Sequence, residues 1–381
     1  DDETVPWKHR DVSYEESPTL LHLHRAQIEI ALRSSYREQG AADRKATVIL
    51  PTAPRESRAP SSLSTMFYRT AFNGYGVQFS PFEEGKIAVA TAQNFGIIGN
   101  GKQYVLQMGP HGMTEVAAFD TMDGLYDCTW SEENENILVS ACGDGSVKVW
   151  DLALPPHANP LRSMKEHTHE VYGVHWNLAQ RDTFVTASWD DTIKLWSLSS
   201  PHSLGTYVGH TYCVYSAIWS PKHADIFLSA SGDCTAKVWD VRQPRPSLSI
   251  AAHQFEVLTA DWNKYQDTMI ATGSVDKTIK LWDIRNPERE VAVISGHTYA
   301  VRKVQWSPHS ETQLASCSYD MSVCLWETAA PPSDSLIRRY PHHTEFAVGL
   351  DWSMLVEGLL ASCGWDEMVY VWHQNSDPRA A

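Results

Sequence analysis

Hydroxyl, imidazole and carboxylate side chains recur together along this chain at spacings that invite a nucleophile–base–acid reading. The sets are His167, Thr186 and Asp190; His210, Ser229 and Asp233; His253, Thr272 and Asp276; His297, Ser316 and Asp320; and His343, Ser362 and Asp366. A hydroxyl activated by an imidazole that a carboxylate orients would attack an acyl carbon. Such a triad is needed once, in a cleft, with an exposed nucleophile. Here the set occurs five times at one fixed spacing. Each copy also runs on to a tryptophan six residues after the aspartate: Trp196, Trp239, Trp282, Trp326 and Trp372. A buried carboxylate must be satisfied, and imidazole, hydroxyl and indole N–H can satisfy it in series. The sets are therefore expected to be structural tetrads. The repeat spreads the imidazoles apart instead of converging them on zinc. No catalytic residue, metal or cofactor is expected.

The elements that position these residues follow one period. Trp150 and the five tetrad tryptophans are 46, 43, 43, 44 and 46 residues apart. Fourteen residues before each turn aspartate (Asp144, Asp190, Asp233, Asp276, Asp320, Asp366) sits another tryptophan: Trp130, Trp176, Trp219, Trp262, Trp306 and Trp352. Thr121 stands where the other copies have histidine. Runs such as Val147-Lys148-Val149-Trp150 alternate as half-buried strands do. An earlier, degenerate copy has Phe79, Asn100 and Leu106 at the corresponding positions, with seven extra residues around 93–99.

This pattern resembles the WD repeat, in which each copy forms a four-stranded blade. The expected fold is all-β, a seven-bladed WD-repeat β-propeller over residues 66–374, with 375–381 as a C-terminal tail. Met66 to Thr70 is expected to close the ring by completing the last blade. Residues 1–65 carry no repeat positions, and 51–65 are rich in Pro, Ser and Arg. They are expected to be a disordered N-terminal extension or untranslated sequence read through, with 20–32 capable of a short amphipathic helix.

Composition narrows the function. With 31 Lys and Arg against 46 Asp and Glu, the net charge is −15. That argues against a nucleic-acid partner and favours basic ligands. The seven cysteines form no CxxC pair and read as reduced thiols of a cytosolic or nuclear protein. No apolar run is long enough to span a membrane, and no secretory signal is expected.

Binding must come from the rim. Two kinds of position are expected on the ligand-facing side: those three and five residues after the tetrad histidine, and those just before the turn aspartate. Together with their neighbours Asp123 and Glu345 they supply Tyr126, Glu170, Tyr172, Trp189, Tyr215, Glu256, Tyr319 and Trp365, with Arg302 the one base. An aromatic and acidic face suits a helical peptide with an apolar stripe and a few basic groups. An arginine of that peptide would pair with Asp123, Glu170 or Glu256.

Several segments resemble one family, the receptors for the type 2 peroxisomal targeting signal. They are AFNGYGVQFSPF (71–82), AVATAQNFGIIGNGK (88–102), DGLYDCTWSE (123–132), DWNKYQD (261–267), YAVRKVQWSPH (299–309), SCSYDMSVCLW (316–326) and HHTEFAVGLDWS (342–353). The resemblance implies a cargo receptor that cycles between cytosol and peroxisome. Such a receptor recognises an N-terminal helical peptide of the form Arg-Leu, five residues, His-Leu. It acts with an import co-receptor and delivers cargo to docking proteins at the peroxisomal membrane. The match around DGLYD implies that Asp123 faces the signal's arginine, with Glu170 as second candidate. The 65-residue extension is outside the family pattern. Two other readings stay open. Trp-Asp-x-Arg boxes at 239–242 and 282–285 resemble those that dock cullin-ligase adaptors. An acidic propeller with an N-terminal helix near 19–33 would also suit histone binding.

Overall fold

The computed structural model describes residues 65–379. These form seven four-stranded antiparallel sheets arranged as the blades of a β-propeller. What was expected of residues 1–65 falls, Thr65 apart, outside the described residues. The first strand of each blade lines the axis: Asn73–Phe79, Leu125–Trp130, Val171–Trp176, Val214–Trp219, Val257–Trp262, Val301–Trp306 and Ala347–Trp352. Blade 7 takes its outer strand from the other end of the described chain. Met66–Arg69 pairs antiparallel with Met368–His373, with Phe67 opposite Tyr370.

The core lies between blades. Alternation puts the apolar side of each sheet against its neighbour, so one hydrophobic cluster joins Leu359, Ala361 and Val371 of blade 7 to Val77, Ile87 and Leu106 of blade 1. Trp150, Trp196, Trp239, Trp326 and Trp372 are fully buried in such layers. Leu106, opposite Ile87, takes the same place in blade 1. The residue after each turn aspartate adopts a left-handed conformation: Gly145, Asp191, Cys234, Lys277, Met321 and Glu367. Five of these are not glycine, a local cost of about 1–2 kcal/mol each that the surrounding hydrogen bonds must offset.

Those bonds are the tetrads. In blade 4, His210 Nδ1 donates to Asp233 at 2.7 Å, the Ser229 hydroxyl meets His210 Nε2 at 2.6 Å, and the Trp239 indole donates to Ser229 Oγ at 2.8 Å. The sets on His167, His253 and His297 have the same connections. Blade 7 departs from the expected set. Ser362 meets two imidazoles, His343 Nε2 and His342 Nε2, each at 2.9 Å. Trp372 Nε1 makes no bond to it. The extra histidine directly before His343 displaces the indole. In blade 2, where Thr121 replaces histidine, Ser140 accepts from Trp150 and donates to Gln103 of blade 1 at 2.8 Å.

A second bond series runs around the axis. The residue just before each strand-end aromatic points away from the core and accepts the backbone N–H of the next blade's aromatic. The pairs are Trp130 N to Gln78, Trp176 N to Thr129, Trp219 N to His175, Trp306 N to Asp261, Trp352 N to Gln305, and Phe79 N to Asp351. Only the junction of blades 4 and 5, where Ile218 holds the position, lacks such a bond among the described residues.

Candidate peptide-binding face

The face is built from a repeated irregularity. Every first strand carries a β-bulge, and the residues that leave the ladder are Tyr75, Tyr126, Tyr172, Tyr215, Leu258, Arg302 and Val348. A bulge inserts one residue and re-aims its side chain. All of these except Val348 line one cavity at the mouth of the axial channel. Their rings form a continuous path. Tyr215 lies 5.7 Å from Tyr172, Tyr172 5.2 Å from Tyr126, Tyr126 5.3 Å from Tyr75, and Tyr75 6.0 Å from Trp365. Trp365 continues to Phe346 at 5.0 Å and Tyr319 at 6.3 Å. Tilted and edge contacts of this kind add about 0.5–1.5 kcal/mol per pair beyond area burial, so the floor is rigid.

The extra residues of blade 1 are pinned onto this floor. They form a short 3-10 turn over Gln93–Gly96, with Asn94 and Phe95 left-handed. The Tyr75 hydroxyl donates to Phe95 O, and the Tyr126 hydroxyl donates to Gly96 O at 2.7 Å. Phe95 N–H donates to Asn73 Oδ1 at 2.9 Å, and the Phe95 ring sits 5.3 Å from Trp365. Where the turn rejoins the sheet, Gly101 permits close approach: a Cβ there would lie 2.5 Å from the Asp123 carbonyl.

The two kinds of rim position meet in each later blade. The residue before the turn aspartate donates its N–H to the carbonyl three residues after the histidine position. The bonds are Gly143 to Gly124, Trp189 to Glu170, Gly232 to Cys213, Val275 to Glu256, Tyr319 to Ala300 and Trp365 to Phe346, all at 2.9–3.1 Å. Trp189 also packs 5.5 Å from Tyr172. The structure thus brings Tyr126, Tyr172, Trp189, Tyr215, Tyr319 and Trp365 into one aromatic system.

The acids differ from a uniformly exposed rim. Asp123 and Glu345 are exposed, Glu256 is half-buried, and Glu170 is buried. Burial raises the Glu256 carboxyl above the usual range, opposed by the hydrogen bond it accepts from Tyr215 at 3.0 Å. Several tyrosines chosen as contacts are floor: Tyr126 is only 3% exposed. Sequence reasoning missed the side chains that do stand out. Phe255 is 57% exposed, Tyr212 42%, Ile98 74% and Met122 85%. Tyr212 and Phe255 each lie two residues after a tetrad histidine, a position that Tyr299 shares; that recurrence was the available signal.

The Trp-Asp-x-Arg segments fold back on themselves. Arg242 bonds Asp240 through Nε at 2.7 Å and Nη2 at 2.5 Å, and Arg285 bonds Asp283 at 2.6 Å.

The WD domain, G-beta repeat model matches residues 115–151, 158–197, 201–240, 244–283 and 288–327. Each matched unit begins with or near the outer strand of one blade and ends on the third strand of the next. The chain is 57% identical over 106 residues to peroxisome biogenesis protein 7 of Arabidopsis thaliana, covering 27% of this chain and 33% of that protein. It is 56% identical over 104 residues to the peroxisomal targeting signal 2 receptor of Dictyostelium discoideum, covering 27% and 33%. With the human protein of that name it shares 46% over 99 residues, covering 26% and 30%. The matched stretch spans about a third of the length of these relatives.

Proposed function

The chain belongs to the WD domain, G-beta repeat family, and on that premise we propose that it is a receptor for the type 2 peroxisomal targeting signal. The observation that carries this reading is the bulge-built aromatic floor, bordered by Asp123, Glu256 and Glu345. Relatives named as receptors for that signal support it. A helix of the form Arg-Leu-x5-His-Leu sets its two leucines seven residues apart, on one stripe. The leucines rest on the aromatic floor and on Ile98, Met122 and Phe255 at its edge. The arginine reaches Asp123, where a planar guanidinium pairs bidentately with a carboxylate. The rigid floor lowers the ordering cost of association.

In this account the propeller carries cargo and performs no reaction. It binds cargo in the cytosol together with a co-receptor and passes it to docking proteins at the peroxisomal membrane. Among the described residues no helix is long and apolar enough to cross a membrane. The self-paired Arg242 and Arg285 favour local structure over adaptor docking at those boxes.

The test is complementation. In cells lacking their own receptor for this signal, the full chain should move a fluorescent cargo bearing the signal from cytosol to peroxisomes. A cargo left in the cytosol by well-expressed chain would contradict the proposal.

A further inference from the structure

Arg302 is the one cation in the ring of bulge residues, and its side chain is part of the cavity at the channel mouth. The residue is only 7% exposed. One guanidinium face packs over the Tyr172 ring, 4.9 Å from its centroid. No carboxylate of the chain, among the described residues, forms an ion pair with it. The one carboxylate among the described residues that line the same cavity, Asp127, is committed elsewhere. It sits 3.7 Å from Lys303 and accepts the backbone N–H groups of Cys128 at 3.0 Å and Val174 at 3.3 Å. Three tyrosine hydroxyls of the ring are also engaged: Tyr75 and Tyr126 with the blade 1 turn, and Tyr215 with Glu256.

A buried charge without a counter-charge is costly. Arginine cannot avoid that cost by losing its proton. Tyr172 takes up one guanidinium face and one side-chain hydrogen bond, which leaves part of the in-plane N–H fork, the geometry that matches a carboxylate. We infer that Arg302 is the receiving group for a carboxylate side chain carried by the docked peptide, seated at the propeller axis inside the tyrosine ring.

This rests on the receptor reading above and adds to it. The face then reads two signs of charge: the ligand's basic group at the acidic edge, and an acidic group at the centre. The tyrosine ring excludes water around the pair and makes it stronger than a surface ion pair.

The experiment scans the peptide. A helical Arg-Leu-x5-His-Leu peptide with glutamine at all five variable positions is compared with five versions, each placing glutamate at one position. Binding to the full chain is measured by titration. One glutamate position should tighten binding at least roughly tenfold. The gain should vanish in Arg302→Gln and shrink in Arg302→Lys, which keeps the charge and loses the fork. Equal affinity for all six peptides on the wild-type chain would overturn the inference, whether or not the variants fold. So would a gain that survives in folded Arg302→Gln. Binding of the all-glutamine peptide reports the receptor reading separately, since it needs no carboxylate.

Discussion

The carboxylate of Asp351 in blade 7 accepts the backbone N–H of Phe79 in blade 1 at 2.7 Å, across the junction where the ring closes. Its other oxygen accepts from Gln305 at 2.7 Å. Burial pushes the Asp351 carboxyl up to about 6, against the pull of Phe79 N–H, Gln305 and Lys303. A carboxyl raised in the folded state binds more protons there than in the unfolded chain. Its effect on stability is therefore most favourable below the unfolded value and declines as pH rises to about 6. The expected decline is on the order of 3 kcal/mol. Asp351→Asn should remove that part of the pH dependence, whatever it does to absolute stability. The check is denaturant unfolding from pH 4 to 7, and parallel curves for both proteins would count against the assignment.

The turn aspartates act in the opposite sense. Burial works against their ionisation, but hydrogen bonds from histidine and from Thr278 bring Asp276 down to about 2. The same balance holds Asp190, Asp233 and Asp320 well below the usual range. Their contribution is present above the ordinary carboxylate value and is lost as pH falls toward 2. Acid titration should show a steep loss below about pH 4, and Asp276→Asn should flatten it while lowering stability at neutral pH.

Blades 4 and 7 give an internal comparison. Trp239 donates to Ser229, whereas Trp372 makes no bond to Ser362. Trp239→Phe leaves a buried hydroxyl without its donor and should cost about 1–3 kcal/mol more than loss of ring volume alone. Trp372→Phe should cost only the volume. Equal melting-temperature losses for the two variants would mean that the indole bond is energetically unimportant.

The exposed edge should matter for binding and not for folding. Phe255→Ser and Ile98→Ser remove side chains that stand mainly in solvent. Each should leave the melting temperature nearly unchanged and weaken the targeting peptide by about 1–2 kcal/mol. Calorimetric titration beside thermal unfolding separates the two effects.

The blades were legible in the sequence because each repeat states the same rule independently. The spacing of Asp233 to Trp239 locates a strand, and five further copies repeat it. The polar channel was not read from the sequence, although its residues share one repeat position. The residue before each strand-end aromatic is polar in Gln78, Thr129, His175, Asp261, Gln305 and Asp351, and strand alternation sends it away from the core. The bulges were not legible. A one-residue shift in pairing leaves no composition signature, so Tyr126 and Tyr172 looked like exposed contacts when they are packed floor. The blade 1 insert was visible as extra length. Its pinning by Tyr75 and Tyr126 depends on contacts across blades that no local pattern encodes.

The central claim is selective recognition of the targeting helix, and direct binding tests it. The full chain would be titrated with a labelled Arg-Leu-x5-His-Leu peptide, alone and with a co-receptor fragment, beside a control peptide with the arginine and last leucine replaced. The account predicts saturable binding of the first peptide only, weakened by Asp123→Asn in the folded chain. Failure of the folded chain to distinguish the two peptides, with co-receptor present, would contradict it.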